Sequence, residues 1–406
     1  MTPRTTQTDP GDASGGSLTG SLLALGVGLT AAGVGAALGI AAERMSVGRT
    51  VRLNQLATAD DGYGGPPLGS VRGEVVPVQT DDGVRLHVEV HEPGAERAAP
   101  GQPPITIVFS HGYALTMDSW HYQTVALAGR YRLVLWDQRG HGRSSSGAPG
   151  SSTIDRVGAD LEAVLEAVAP EGPLVLIGHS MGGMTVMALA ERRPDLFEQR
   201  VVGIGLIGTS AGGLGEANLG LAGLGKIVLR MAPGAVRLLA RRPELVARGR
   251  QLGSDLESVL VRRYSFASPV PPQLVAFAAR MIASTRVEVI SDFMPTFSSH
   301  DKREALAALD GTEVLVLVGD GDLLTPVRHS EEIVQRLPAA EHVVIRDAGH
   351  LVQLEHPELV NGYLEELLER AGRAVRGSGR RLHWGRRTVT PIRRRLSRRA
   401  RRVDNE

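Results

Sequence analysis

The sequence contains no cysteine. That excludes disulfides and thiol nucleophiles, and it removes the ligands that zinc sites favour most. Lysine is almost as scarce. Lys226 and Lys302 stand alone, so arginine carries nearly all the positive charge, a usage typical of GC-rich bacterial genomes. Aromatic residues make up 4% of the chain against 42% for the whole hydrophobic set, so aliphatic side chains must fill the core. There is no phosphate-binding loop, no dinucleotide fingerprint and no zinc-ligand spacing. No cofactor and no metal are expected.

Charge is missing from one long stretch. Nothing between Ala13 and Ala42 is ionisable, and "SLLALGVGLTAAGVGAALGIAA" occupies 21–42. As a helix it would be about 30 Å long, the thickness of a bilayer core, and it has no polar face. A single N-terminal membrane helix is expected there. The rival is a cleaved signal peptide, which would make the protein secreted. Against it, the apolar run is long and only Arg4 precedes it. Arg44, Arg49 and Arg52 follow the run, so the positive-inside bias puts the rest of the chain in the cytoplasm.

The net charge of +1 hides a second asymmetry. Residues 371–406 hold thirteen arginines against Asp404 and Glu406, so this end is strongly basic and the remainder is acidic. Ile392, Leu396, Ala400 and Val403 fall near one helical face. The tail, 372–406, is expected to lie as an interfacial helix on anionic lipid, with a disordered basic tail as the rival. Nucleic acid is not an expected partner.

Between these ends the pattern is regular. Residues 1–52 form the N-terminal segment, and 53–72 read as a linker rich in Gly and Pro. "EVVPVQT" and "VRLHVEV" flank Asp81-Asp82-Gly83 as a hairpin. Short apolar runs follow at 105–110, 131–136, 173–178, 201–208, 313–319 and 342–347. Stretches of helical period separate most of them, among them 153–169 and 355–370. This alternation predicts an α/β architecture, a mostly parallel eight-stranded sheet with helices on both faces. From Thr209 to Thr312 no such strand occurs, so 213–297 is expected to be an inserted helical cap. The core would then be 73–212 and 298–371.

The chemistry centres on "PLVLIGHSMGGM", residues 173–184. Ser180 follows an apolar strand and opens a helix. Functional groups in open parallel sheets gather at the carboxyl ends of strands. Small neighbours, Gly178, Gly182 and Gly183, let the serine protrude from a strained turn. The helix start favours a developing negative charge. This is the G-x-S-x-G nucleophile elbow, a short pattern that also occurs by chance in a glycine-rich chain. A serine hydroxyl needs a base, and the base needs an orienting acid. His350 follows the last strand in "DAGHLVQLEHP", and Asp320 and Asp322 follow the one before in "LVLVGDGDLLTP".

These segments, with "FSHGYAL" and "VLWDQRGHGRS", resemble those of the α/β-hydrolase superfamily, in its order, over roughly 73–371. The resemblance implies the α/β-hydrolase fold with a cap above the serine. It implies Ser180 as nucleophile, His350 as base and Asp322 as acid. Asp322 matches better than Asp320 by its spacing from Gly319 and Pro326. It implies an oxyanion hole from the backbone amides of Tyr113 and Met181, with His111 and Gly112 shaping one loop and Gly178 and Gly182 the other. His141, His179 and His356 are pattern residues expected to pack rather than react. Trp120 is open between pocket and core. A serine nucleophile implies acyl chemistry, with a lipophilic carboxylic ester as the expected substrate. Peracid formation and C–C cleavage use the same triad, and a non-catalytic ligand-binding relative would keep the same fold.

Overall fold

The computed structural model describes residues 65–94, 104–214, 259–377 and 401–403. Eight strands follow the predicted order: β1 (Glu74–Gln79), β2 (Arg85–His91), β3 (Thr106–Ser110), β4 (Arg132–Asp137), β5 (Leu174–His179), β6 (Val201–Ile207), β7 (Glu313–Gly319) and β8 (Glu341–Ile345). The sheet runs β1-β2-β4-β3-β5-β6-β7-β8, antiparallel at β1–β2 and β2–β4 and parallel from there on. The helices are α1 (His121–Leu127), α2 (Ile154–Val168), α3 (Met181–Arg192), α4 (Pro194–Gln199), α5 (Pro272–Ser284), α6 (Val287–Ser299), α7 (Val327–Arg336), α8 (Val352–Glu355) and α9 (Pro357–Gly377).

Alternation along the central strands divides the core. Val108, Leu174 and Leu176 join one cluster with Val157 and Leu161 of α2 and Met184 and Met187 of α3. Ile107, Phe109, Val175 and Ile177 point the other way and pack with Leu364, Leu367 and Leu368 of α9. A strand with both faces buried has no polar alternation, which is why these runs are continuously apolar. The two-sided cover locks the register, since a one-residue slip would exchange the faces. Helix boundaries are set locally. Thr153 caps α2, its hydroxyl accepting the Arg156 amide at 3.1 Å. The expected helix 355–370 is α9, which begins at Pro357, and the short α8 ends just before it at Glu355.

Two findings modify the sequence-based picture. The sheet has a ninth strand, β9 (Arg401–Val403), parallel to β8. The basic tail therefore supplies backbone partners to an otherwise open sheet edge, and the expected tail helix does not run through Val403. The linker reading also stops short. Leu68 is buried in a cluster with Leu115, Tyr122, Phe277 and Leu354, and Arg72 pairs with Asp118 at 2.6 Å. The cap insertion is helical where it is described, at 259–265 and in α5 and α6. No helix among the described residues is long and apolar enough to cross a membrane. The span expected at 21–42 lies outside the described residues, as do 215–258 of the cap and 378–400 of the tail.

Candidate active site

Ser180 sits between β5 and α3 with φ 52° and ψ −116°. That conformation is costly for a residue with a Cβ and persists only where the surroundings enforce it. Here the Ser180 amide donates to Ile207 O at 2.9 Å, and the Thr209 hydroxyl donates to Ser180 O at 2.7 Å. A Cβ at Gly182 would run into the carbonyl of Ser110 on β3, and one at Gly178 into the carbonyl of Gly182. The two glycines let the turn nest against the neighbouring strand. The side chain of Ser180 stays half-buried, while the flanking residues 174–179 and 181–190 are all buried.

The loop after β7 separates the two aspartates sharply. Asp320 is exposed, and its amide donates to Ile345 O at 2.9 Å. Asp322 is 3% exposed. Its Oδ1 accepts the amides of Leu324 at 2.8 Å and Thr325 at 2.9 Å, and its Oδ2 accepts the Thr325 hydroxyl at 2.8 Å. His350 Nδ1–H also donates to Oδ2, at 2.8 Å. Burial pushes the Asp322 carboxyl up. The His350 imidazole and the Thr325 donors outweigh it and hold the group below the usual carboxylate range. His350 itself is buried, and its carbonyl accepts His179 Nε2–H at 2.9 Å.

The loop after β3 is held by histidines acting as acceptors. His111 Nε2 accepts the Gln138 amide at 3.0 Å, while its Nδ1–H donates to Gly112 O at 2.7 Å. His141 Nε2 accepts the Ala114 amide at 3.1 Å, and its Nδ1–H donates to Arg139 O at 2.9 Å. Ala114 has φ 55°, so the His141 bond fixes a peptide that would otherwise relax. The Gln138 side chain donates to His111 O at 2.5 Å and accepts the Thr185 hydroxyl at 2.9 Å, tying this loop to α3. Among the described residues the amides of Tyr113 and Met181 have no hydrogen-bond partner. Burial drives His111 well below the ordinary histidine value, His141 to about 4 and His179 to about 3.

The remaining expected residues divide clearly. Trp120 is fully buried against Phe109, with ring centroids 5.0 Å apart, and belongs to the core. His356 donates to Asp347 O at 3.1 Å. Sequence reasoning missed Gln138 and Thr185, whose only signal was their place beside the motifs. It also missed the Tyr113 phenol, which donates to Ile290 O of α6 at 2.6 Å and so reaches the cap. No cluster of three or more His, Asp or Glu converges as metal ligands would among the described residues.

The chain matches the family described as alpha/beta hydrolase fold over residues 105–357. This protein belongs to the α/β-hydrolase family. It is 29% identical over 290 residues to the dihydrolipoyllysine-residue acetyltransferase component of the acetoin cleaving system of Cupriavidus necator, covering 71% of this chain and 67% of that protein. It is 27% identical over 259 residues to an sn-1-specific diacylglycerol lipase of Mus musculus, covering 62% of this chain and 77% of the lipase. Among solved structures, a thermophilic esterase from Thermogutta terrifontis superposes with a TM-score of 0.56 at 25% identity, over 74% of this chain and 99% of the esterase. This α/β-hydrolase is an enzyme, and its reaction is a hydrolysis.

Proposed function

We propose that the protein is a serine hydrolase that cleaves a lipophilic carboxylic ester through an acyl-enzyme on Ser180. The observation that carries this reading is the buried His350–Asp322 pair at 2.8 Å, reached from the same sheet edge as the Ser180 elbow. His350 Nδ1–H on the carboxylate leaves Nε2 as the proton acceptor. Ser180 Oγ attacks the carbonyl carbon as its proton passes to Nε2. The amides of Tyr113 and Met181 receive the negative charge on the carbonyl oxygen. The C–O bond to the alcohol breaks, and the alcohol leaves with the proton from His350. Water then attacks the acyl carbon, gives its proton to Nε2, and Ser180 Oγ departs with it, releasing the acid. Support for an ester substrate comes from the lipase and the esterase among the relatives.

We place this chemistry at a membrane. The uncharged run at 21–42 is the anchor, the hydrolase unit faces the cytoplasm, and the arginines of the tail bind anionic lipid. An anchored pocket draws its substrate from the lipid phase, which is why the ester is given a lipophilic acyl chain. The test uses the full chain and p-nitrophenyl esters of graded chain length, with fluorophosphonate labelling in parallel. Labelling at Ser180 and a rate that rises with acyl length support the reading. An unlabelled, inactive but folded protein would point to a binding role. Membranes washed with carbonate should retain the chain, and protease added to intact spheroplasts should leave the hydrolase unit uncut. A soluble protein shortened after Ala42 would replace the anchor with a signal peptide.

A further inference from the structure

The buried carboxylate of Glu355, at the end of α8, lies outside the triad and is 1% exposed. Its Oε1 accepts the amides of Ala267 at 2.8 Å and Ser268 at 2.5 Å, together with the Ser268 hydroxyl at 2.7 Å. Its Oε2 accepts the Gly349 amide at 2.5 Å. One side chain therefore joins two separate segments. The first, 265–268, belongs to the cap insertion. The second is the loop that carries His350.

Other contacts run along the same seam. The Leu351 amide donates to Ser265 O at 2.8 Å. The backbone on both sides of His350 is thus fastened to the strap 265–268, on one side directly and on the other through Glu355. The strap also presses on two loops at once. A Cβ at Gly349 would lie 2.7 Å from Ser265 O, and a Cβ at Gly321 would lie 2.7 Å from Ala267 Cβ. Gly321 precedes Asp322, and Gly349 precedes His350, so small residues at both places let the strap lie flat across the acid loop and the base loop. A buried carboxylate receiving several donors is a strong and directional fixture.

We propose that Glu355 is a positioning residue for His350, fastening the cap strap 265–268 to the base loop so that the strap sets the placement of the imidazole against Asp322. The proposal rests on the reading of His350 as general base. Glu355 does not touch substrate. A shift of the cap strap is transmitted to the base through the Gly349 and Leu351 amides, and a rearrangement at the base loop is resisted by the cap.

The full chain carrying Glu355→Gln tests this, because the amide keeps the size but turns an N–H toward donors it cannot accept from. The kcat on a p-nitrophenyl ester, normalised to folded protein by thermal melting, should fall about 10- to 100-fold, the range expected from a small misplacement of a reacting group. KM should stay within about threefold, because substrate contacts are untouched. The acid limb of kcat/KM should move to lower pH, since a loosened Asp322 contact stabilises the imidazolium less. Fluorophosphonate inactivation should slow by the same factor as kcat. Ser268→Ala, which loses one hydroxyl donor and keeps both amides, should give a smaller change in the same direction. A folded Glu355→Gln protein with the original kcat and pH profile overturns the proposal. If that variant does not fold, Ser268→Ala decides, and an unchanged kcat and acid limb overturns it. His350→Ala separates the two readings. Activity surviving in it removes the base assignment itself, whereas an inert His350→Ala beside a fully active Glu355→Gln removes only the role of Glu355.

Discussion

On the oxyanion side of the sheet edge, beyond β3 and β4, His111 and His141 place Nδ1–H on backbone carbonyls and offer Nε2 to backbone amides. On the base side, beyond β7 and β8, His350 places the same Nδ1–H on the carboxylate of Asp322. The residue type, the tautomer and the burial are alike. The partner differs, and it decides the role. A carbonyl holds the ring in place but gives little to an arriving proton, and an Nε2 already filled by an amide has nowhere to put one. A carboxylate stabilises the imidazolium as it forms. The first pair serves as fixed acceptors that shape a loop. The second, on the reading proposed above, is the base for Ser180.

The largest effects should break the base side. Ser180→Ala and His350→Ala should each lower kcat by about a millionfold, as expected when a member of a serine triad is removed. Circular dichroism and thermal melting should show both variants folded. Retained turnover with His350→Ala would mean that the contrast between the two sides has no catalytic content. Next comes the acid. Asp322→Asn should lower kcat by about 10,000-fold through the wrong tautomer of His350. Asp320→Asn, on an exposed side chain two positions away, should stay within about twofold. A greater loss at Asp320 than at Asp322 would reverse the assignment of the acid.

The smallest effect sharpens the oxyanion side. Burial lowers His141 to about 4 and His179 to about 3 in the folded protein, whereas an unfolded histidine titrates near about 6.5. Below that value the unfolded chain binds more protons than the folded one. Stability is therefore intact at neutral pH and is lost as pH falls from about 6.5 towards 4, by about 1.4 kcal/mol per pH unit for each such histidine. His141→Gln keeps an oxygen that can accept the Ala114 amide and removes one titrating ring. Urea unfolding across this range should show a shallower acid slope for the variant. Equal slopes would show that His141 already carries its proton in the folded protein.

The sequence alone determined the first eight strands and their mostly parallel sheet, and it put Ser180, Asp322 and His350 just past the ends of β5, β7 and β8. Each of these rests on local information: continuous apolar runs for strands buried on both faces, glycines around a strained turn, and polar residues just past strand ends. The tertiary structure decided what local patterns do not encode. It buried Asp322 and left Asp320 in solvent, although the two share one loop. It put Trp120 in the core and Leu68 of the expected linker under the cap. It turned part of the basic tail into a strand on the β8 edge. It joined Gln138 to Thr185, and Glu355 to Ala267 and Gly349, across gaps in the chain that no spacing rule spans. Hydrogen-bond partners of buried polar groups are chosen by which segments meet, and that meeting is fixed only when the sheet, the helices and the cap pack together.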